Sequence, residues 1–78
     1  MIEKLEQLLN DGEVSFTYEK VDGTKRDARG SCNVYILEAH DAIPYGTGVE
    51  KTGVITYFDL DKNAWRSFRK DSLISIKD

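Results

Sequence analysis

The stretch that most restricts how this chain can fold runs from Gly53 to Ile76, GVITYFDLDKNAWRSFRKDSLISI. Val54, Thr56 and Phe58 alternate with Ile55, Tyr57 and Asp59, the period-two pattern of a strand with two different faces. Asp61, Lys62 and Asn63 supply turn chemistry, and Asn63 is best suited to the left-handed conformation that closes a three-residue hairpin loop. Trp65 to Arg69 is then the return strand. Arg69 to Ser72 is too polar to extend it, and Asp71 or Ser72 can cap one helical turn before alternation resumes at Leu73 to Ile76.

The remaining chain fits around that hairpin. Ile2, Leu5, Leu8 and Leu9 share one face of a short helix spanning about residues 2–10, with Gly12 as its expected left-handed cap. So short a helix is marginal alone, so its leucines either dock on the strands or recruit a partner helix. Val14, Phe16 and Tyr18 alternate with Ser15, Thr17 and Glu19 as a half-buried strand, and Asp22-Gly23 is a hairpin turn. From Lys25 a long second strand is expected through Arg29 and Cys32 to Leu37, bulged or bent at Gly30. Ala39 to Lys51 holds the only proline and reads as a loop, which either lines a binding face or tethers two strands. The expectation is one α+β domain over residues 1–78, mainly β: a five-stranded SH3-like barrel over about 13–77 with one short N-terminal helix.

Composition narrows the chemistry. The single cysteine, Cys32, forms no internal disulfide, and with His40 as the only histidine there is no cysteine/histidine zinc set. The N-terminal MIEKLEQLLNDG is too acidic for a signal peptide, and no run nears the roughly 20 apolar residues of a membrane span. A cytoplasmic protein with no metal, cofactor or membrane partner is expected. The formal net charge of −3 argues against general duplex-DNA binding, which rests on neutralising phosphates. Basic residues nevertheless cluster twice, as Lys25, Arg26 and Arg29 and as Arg66, Arg69 and Lys70.

Three chemical motifs fail on spacing. Asp59, Asp61 and Asn63 copy the opening of a calcium loop, but Ala64 stands where the turn glycine belongs and Lys70 where the bidentate glutamate belongs. Gly46-Thr47-Gly48 with Lys51-Thr52 lacks the glycine spacing of a phosphate loop. His40 beside Asp41 could serve as an oriented base, but Cys32 sits in a predicted strand with no basic neighbour. Catalysis is not expected.

An aromatic and basic surface remains. A loop of Asp61 to Asn63 pairs Leu60 with Ala64, Asp59 with Trp65, Tyr57 with Ser67 and Thr56 with Phe68. Val54, Phe58 and Phe68 then face the core, while Tyr57, Trp65 and Arg69 share the other side. A surface of Tyr57, Trp65, Arg66 and Arg69, extended by Lys25, Arg26 and Arg29, suits base stacking with phosphate contacts. Single-stranded nucleic acid or RNA is the leading expected partner. A protein partner, masked by an inhibitor or adaptor module, is the alternative, and the negative charge favours it. A third reading has Trp65 covering the barrel's flank beneath Leu5, Leu8 or Leu9.

Two resemblances follow from these residues. Asp59-Leu60-Asp61 and Trp65 to Asp71 with Ile74 resemble the end of the WYL domain, a small SH3-like barrel of bacterial transcription regulators. Gly53-Val54-Ile55 stands where that family carries its naming tripeptide, so the resemblance implies only Arg66 and Arg69 as contacts for nucleic acid or a nucleotide-like ligand. Over Val14 to Ile76, the chain is similar to short SH3-fold proteins of phages and gut bacteria, through Phe16, Tyr18, Asp22-Gly23-Thr24, Arg26, Arg29, Ile43-Pro44 and Trp65 to Phe68. That resemblance implies the fold, and by analogy binding of one protein or nucleic acid in host takeover or counter-defence.

Overall fold

The computed structural model describes residues 1–42 and 53–77, so Ile43-Pro44 and most of the expected 39–51 loop lie outside it. Its elements are helix α1 (Ile2–Asp11), strands β1 (Val14–Glu19) and β2 (Lys25–Ser31), helix α2 (Val34–Ala39), and strands β3 (Val54–Asp59), β4 (Ala64–Arg69) and β5 (Leu73–Lys77). A 3₁₀ turn over Lys70–Ser72 joins β4 to β5, as the polar run there predicts. The strands form one antiparallel sheet in the order β4-β3-β2-β1-β5, so the last strand returns to pair with the first.

The leucine stripe of α1 is core. Leu5 and Leu9 are sealed against Phe16, Tyr18, Ile55, Tyr57 and Phe68, which removes any need for a partner helix. Burying two such side chains contributes roughly 1.5–3 kcal/mol each, enough to hold a helix too short to persist alone. The end of α1 differs from the expected local cap. Gly12 is extended (φ 169°), and donors from the far end of β2 serve the last carbonyls. Ser31 Oγ donates to the Gly12 carbonyl at 2.8 Å, the Cys32 N–H to Leu9 at 2.9 Å and Asn33 Nδ2 to Asn10 at 3.0 Å.

β1 and its turn follow the predicted pattern. Val14, Phe16 and Tyr18 are buried, and the chain reverses between Glu19 and Lys25 with Gly23 at φ 89°.

β2 is shorter than expected. It stops at Ser31, and Val34–Ala39 is a helix where a strand running to Leu37 was predicted. Asn33 decides this: its side chain caps the helix, accepting from the Tyr35 and Ile36 N–H groups at 3.0 and 3.2 Å. The helix then buries Leu37 and packs Ile36 against Phe58 and Leu60, so tertiary contact overrides the strand propensity of Val-Tyr-Ile.

The β3–β4 hairpin is shifted by one residue from the predicted register. Asp59 pairs with Ala64, Phe58 with Trp65, Tyr57 with Arg66 and Ile55 with Phe68, leaving a four-residue loop, Leu60 to Asn63. Asn63 is left-handed (φ 50°), as predicted. The shift reassigns faces: Ile55, Tyr57 and Phe68 point into the main core. Phe58 and Trp65 point the other way, into a second cluster with Leu37 and Leu60 beneath α2.

No register shift marks a bulge at Gly30, where β2 passes from pairing with β1 to pairing with β3, and the missing side chain also serves close packing. A Cβ there would lie 2.4 Å from Cδ2 of the fully buried Tyr57 ring and 3.0 Å from the backbone carbonyl oxygen of Phe58. Gly30→Ala is expected to destabilise the fold by about 1–3 kcal/mol through overpacking, read as a lower denaturation midpoint at unchanged slope. Gly12→Ala, whose Cβ meets nothing within 4 Å, is the control and should shift the midpoint little.

Candidate functional site

The structure separates the seven residues from which the sequence built a binding face. Tyr57 is fully buried, its ring edge-on to Phe16 at 5.0 Å and its hydroxyl 2.9 Å from that of Tyr18, so it belongs to the core. Trp65 is half-buried and meets Phe58 edge-on at 5.5 Å, in the second cluster rather than beneath the α1 leucines. Arg29 is drawn to the opposite end of the hairpin, with Nη1 2.9 Å from Glu13 and Nη2 3.0 Å from Asp61. Those two carboxylates, Asp61 foremost, push its guanidinium above the ordinary arginine range. Lys25 is exposed opposite Glu19.

Arg26 and Arg66 converge on a group that the sequence presented only as a turn former. Asp59 is 3 % exposed, and its two oxygens divide the work. Oδ1 accepts from the N–H groups of Asp61 and Lys62 at 3.0 and 3.1 Å, organising the hairpin loop from within. Oδ2 accepts from Arg66 Nε at 3.1 Å and lies 3.9 Å from Arg26 Nη1. A buried carboxylate without partners would be prohibitive, so two guanidiniums and two backbone donors are the condition for its burial. The signal in the sequence was the Asp59-Leu60-Asp61 run, which marks a turn but not the depth of its first residue.

A groove runs beside these arginines. One wall is the continuous run Trp65 to Arg69 of β4, and the other is Tyr18 to Asp22 at the tip of the β1–β2 hairpin, with Arg26 between. Lys20, Arg26, Arg66 and Arg69 therefore share one concavity, against Glu19 and Asp22. Lys20 was not among the residues picked from sequence, because nothing in a turn-flanking lysine places it opposite β4. The Asp22 carboxylate is turned back on Thr24, whose hydroxyl and N–H donate to it at 2.6 and 3.0 Å and hold its pKa below the usual value. Among the described residues, Arg69 reaches the exposed Asp71, at 3.3 Å.

Cys32 and His40 are placed apart from each other and from the groove. The Cys32 thiol donates to the Thr56 carbonyl at 3.3 Å, and burial pushes its pKa up, away from the thiolate a nucleophile needs. His40 Nδ1 lies 3.1 Å from Asn63 Oδ1. Among the described residues, no three histidine, cysteine, aspartate or glutamate side chains group to hold a metal ion, and no helix is long and apolar enough to cross a membrane.

Comparison with known proteins agrees with this architecture. The family model described as WYL_2, Sm-like SH3 beta-barrel fold, matches residues 2–74. The chain is also 33 % identical over 76 residues to a protein of Enterobacteria phage T4 named "Uncharacterized 11.5 kDa protein in Gp31-cd intergenic region", covering 95 % of this chain and 74 % of the phage protein. No solved structure gives a significant match.

Two outcomes follow from these buried polar groups. Asp59→Ala strands Arg66 and leaves the loop donors unpaired, and should destabilise by about 3–5 kcal/mol; Asp59→Asn, which keeps an acceptor for the loop, should lose less, as chemical denaturation can measure. Tyr57 has its pKa raised, by burial first and then by its bond to Tyr18. A raised folded-state pKa means stability is fully present below the unfolded value of about 10 and is lost as pH rises above it. Tyr57→Phe should flatten that alkaline decline in a pH series of unfolding curves.

Proposed function

This chain belongs to the WYL_2 family of Sm-like SH3 β-barrels, and from that premise and the groove beside β4 we propose that it is a non-catalytic module that binds a protein partner. The observation that carries the reading is the groove's position along an edge strand. Such an edge offers backbone hydrogen bonds that a polypeptide can satisfy. The burial of Tyr57 removes one of the two aromatics on which base stacking was to rest. All four arginines also have a carboxylate partner within the chain, which a nucleic-acid phosphate would have to displace. The net charge of −3 works in the same direction.

A single-stranded nucleic acid is the second reading, favoured by the gathering of Lys20, Arg26, Arg66 and Arg69 in one groove beside Trp65. Salt dependence distinguishes the two. Four phosphate contacts to a single strand give a salt slope near −2.8, a loss of about fiftyfold in affinity between about 50 and about 200 mM salt.

The test places a photo-crosslinking p-benzoylphenylalanine at Ser67, exposed on β4, and separately at Gln7, exposed on α1. In the producing cell, a discrete protein adduct from position 67 and none from position 7 is expected. An absence of protein adducts at position 67, together with oligonucleotide binding that falls about fiftyfold over the same salt range, would replace this reading with the second.

A further inference from the structure

We propose that the partner contributes an extended, acidic segment that adds to the sheet as a sixth strand along the outer edge of β4. This deepens the protein-binding reading and rests on it. The groove's β4 wall is five consecutive residues, Trp65 to Arg69. Consecutive strand residues point to alternate faces, so a wall containing all of them runs along the strand's backbone edge and not over one face. Among the described residues β4 pairs with β3 alone.

That edge lacks the usual steric guards. Its six residues pair with β3 without a bulge, and AWRSFR holds neither proline nor glycine. The opposite wall is also short of a strand. β5 pairs with β1 only as far as Tyr18, so Glu19 and Lys20 continue past it along the groove. A five-residue run is about 17 Å of edge, room for a segment of five to seven residues.

Charge selects the occupant. Arg69 on β4 and Lys20 on the other wall both line the groove, and neither is held by the buried Asp59 as Arg26 and Arg66 are. Arg69 is the readiest contact, with its side chain 72 % exposed and, among the described residues, an equally exposed aspartate as its ion-pair partner. An acidic strand meets opposite charge at both Lys20 and Arg69.

The probe is an acetylated heptapeptide alternating Glu and Val, compared with its Lys/Val counterpart and with a short oligothymidylate. Amide hydrogen exchange is followed on the full chain. The acidic peptide is expected to slow exchange within residues 65–69 by about tenfold or more while leaving β5 unchanged. Arg69→Glu should weaken the acidic peptide by about tenfold and favour the Lys/Val peptide instead. Unprotected 65–69 amides with the acidic peptide at saturation, or equal protection by both peptides, would overturn the sixth strand. Protein adducts at position 67 would in that case leave the protein-binding reading standing. Protection by oligothymidylate alone would remove both. A dimer in sedimentation whose formation protects 65–69 without peptide would make a second copy the occupant and overturn the acidic segment.

Discussion

The Asp59 carboxylate is the constraint from which the C-terminal half of this barrel follows. By accepting from the Asp61 and Lys62 N–H groups it folds Leu60 into the hairpin loop, which fixes a four-residue loop and hence the register of β3 against β4. Register in turn decides which aromatics are core, because a slip of one residue sends every side chain to the opposite face. Tyr57 and Phe68 enter the main core, and Phe58 and Trp65 go beneath α2. The other carboxylate oxygen draws in Arg66 and Arg26, so the same residue that sets the fold also sets the cations beside the groove.

The two apolar clusters lie on opposite faces of the β3–β4 hairpin, and this gives a small domain more buried surface than a one-sided sheet would. The price is specificity of shape: Gly30 must lack a side chain for the Tyr57 ring to lie against β2, and Ser31 must donate to the end of α1 while it accepts from Asn33. The junction after β2 thus ties the N-terminal helix, the sheet and α2 together. Function, as proposed, falls to the part of the sheet outside this lattice, the outer edge of β4.

Much of the architecture was legible because it depends on local pattern. The α1 leucines, the alternation of β1, the Asp22-Gly23 reversal, the left-handed Asn63 and the polar break before β5 are each set by residues within a few positions of one another. The candidate site was legible in its members and not in its geometry. Trp65, Arg66, Arg69 and Arg26 do share one groove, whereas Tyr57 and Arg29 are taken elsewhere by the core and by two distant carboxylates. Lys20 joined the site only because the hairpin tip folds over β4.

The amino-acid order by itself determined a helix followed by a mainly antiparallel set of strands, since periodicity and turn chemistry act over short range. Asn33 caps α2 locally, but only the tertiary structure decided that Val34–Ala39 stays helical against its strand propensity, that Gly12 needs no left-handed cap and that Phe58 is covered from outside. The physical reason is shared: each outcome depends on a hydrogen bond or an apolar contact made across the molecule. These are Ser31 reaching α1, Leu37 and Ile36 of α2 packing on Phe58 and Leu60, and Asp59 receiving arginines from two strands. No window of neighbouring residues contains both halves of such a contact.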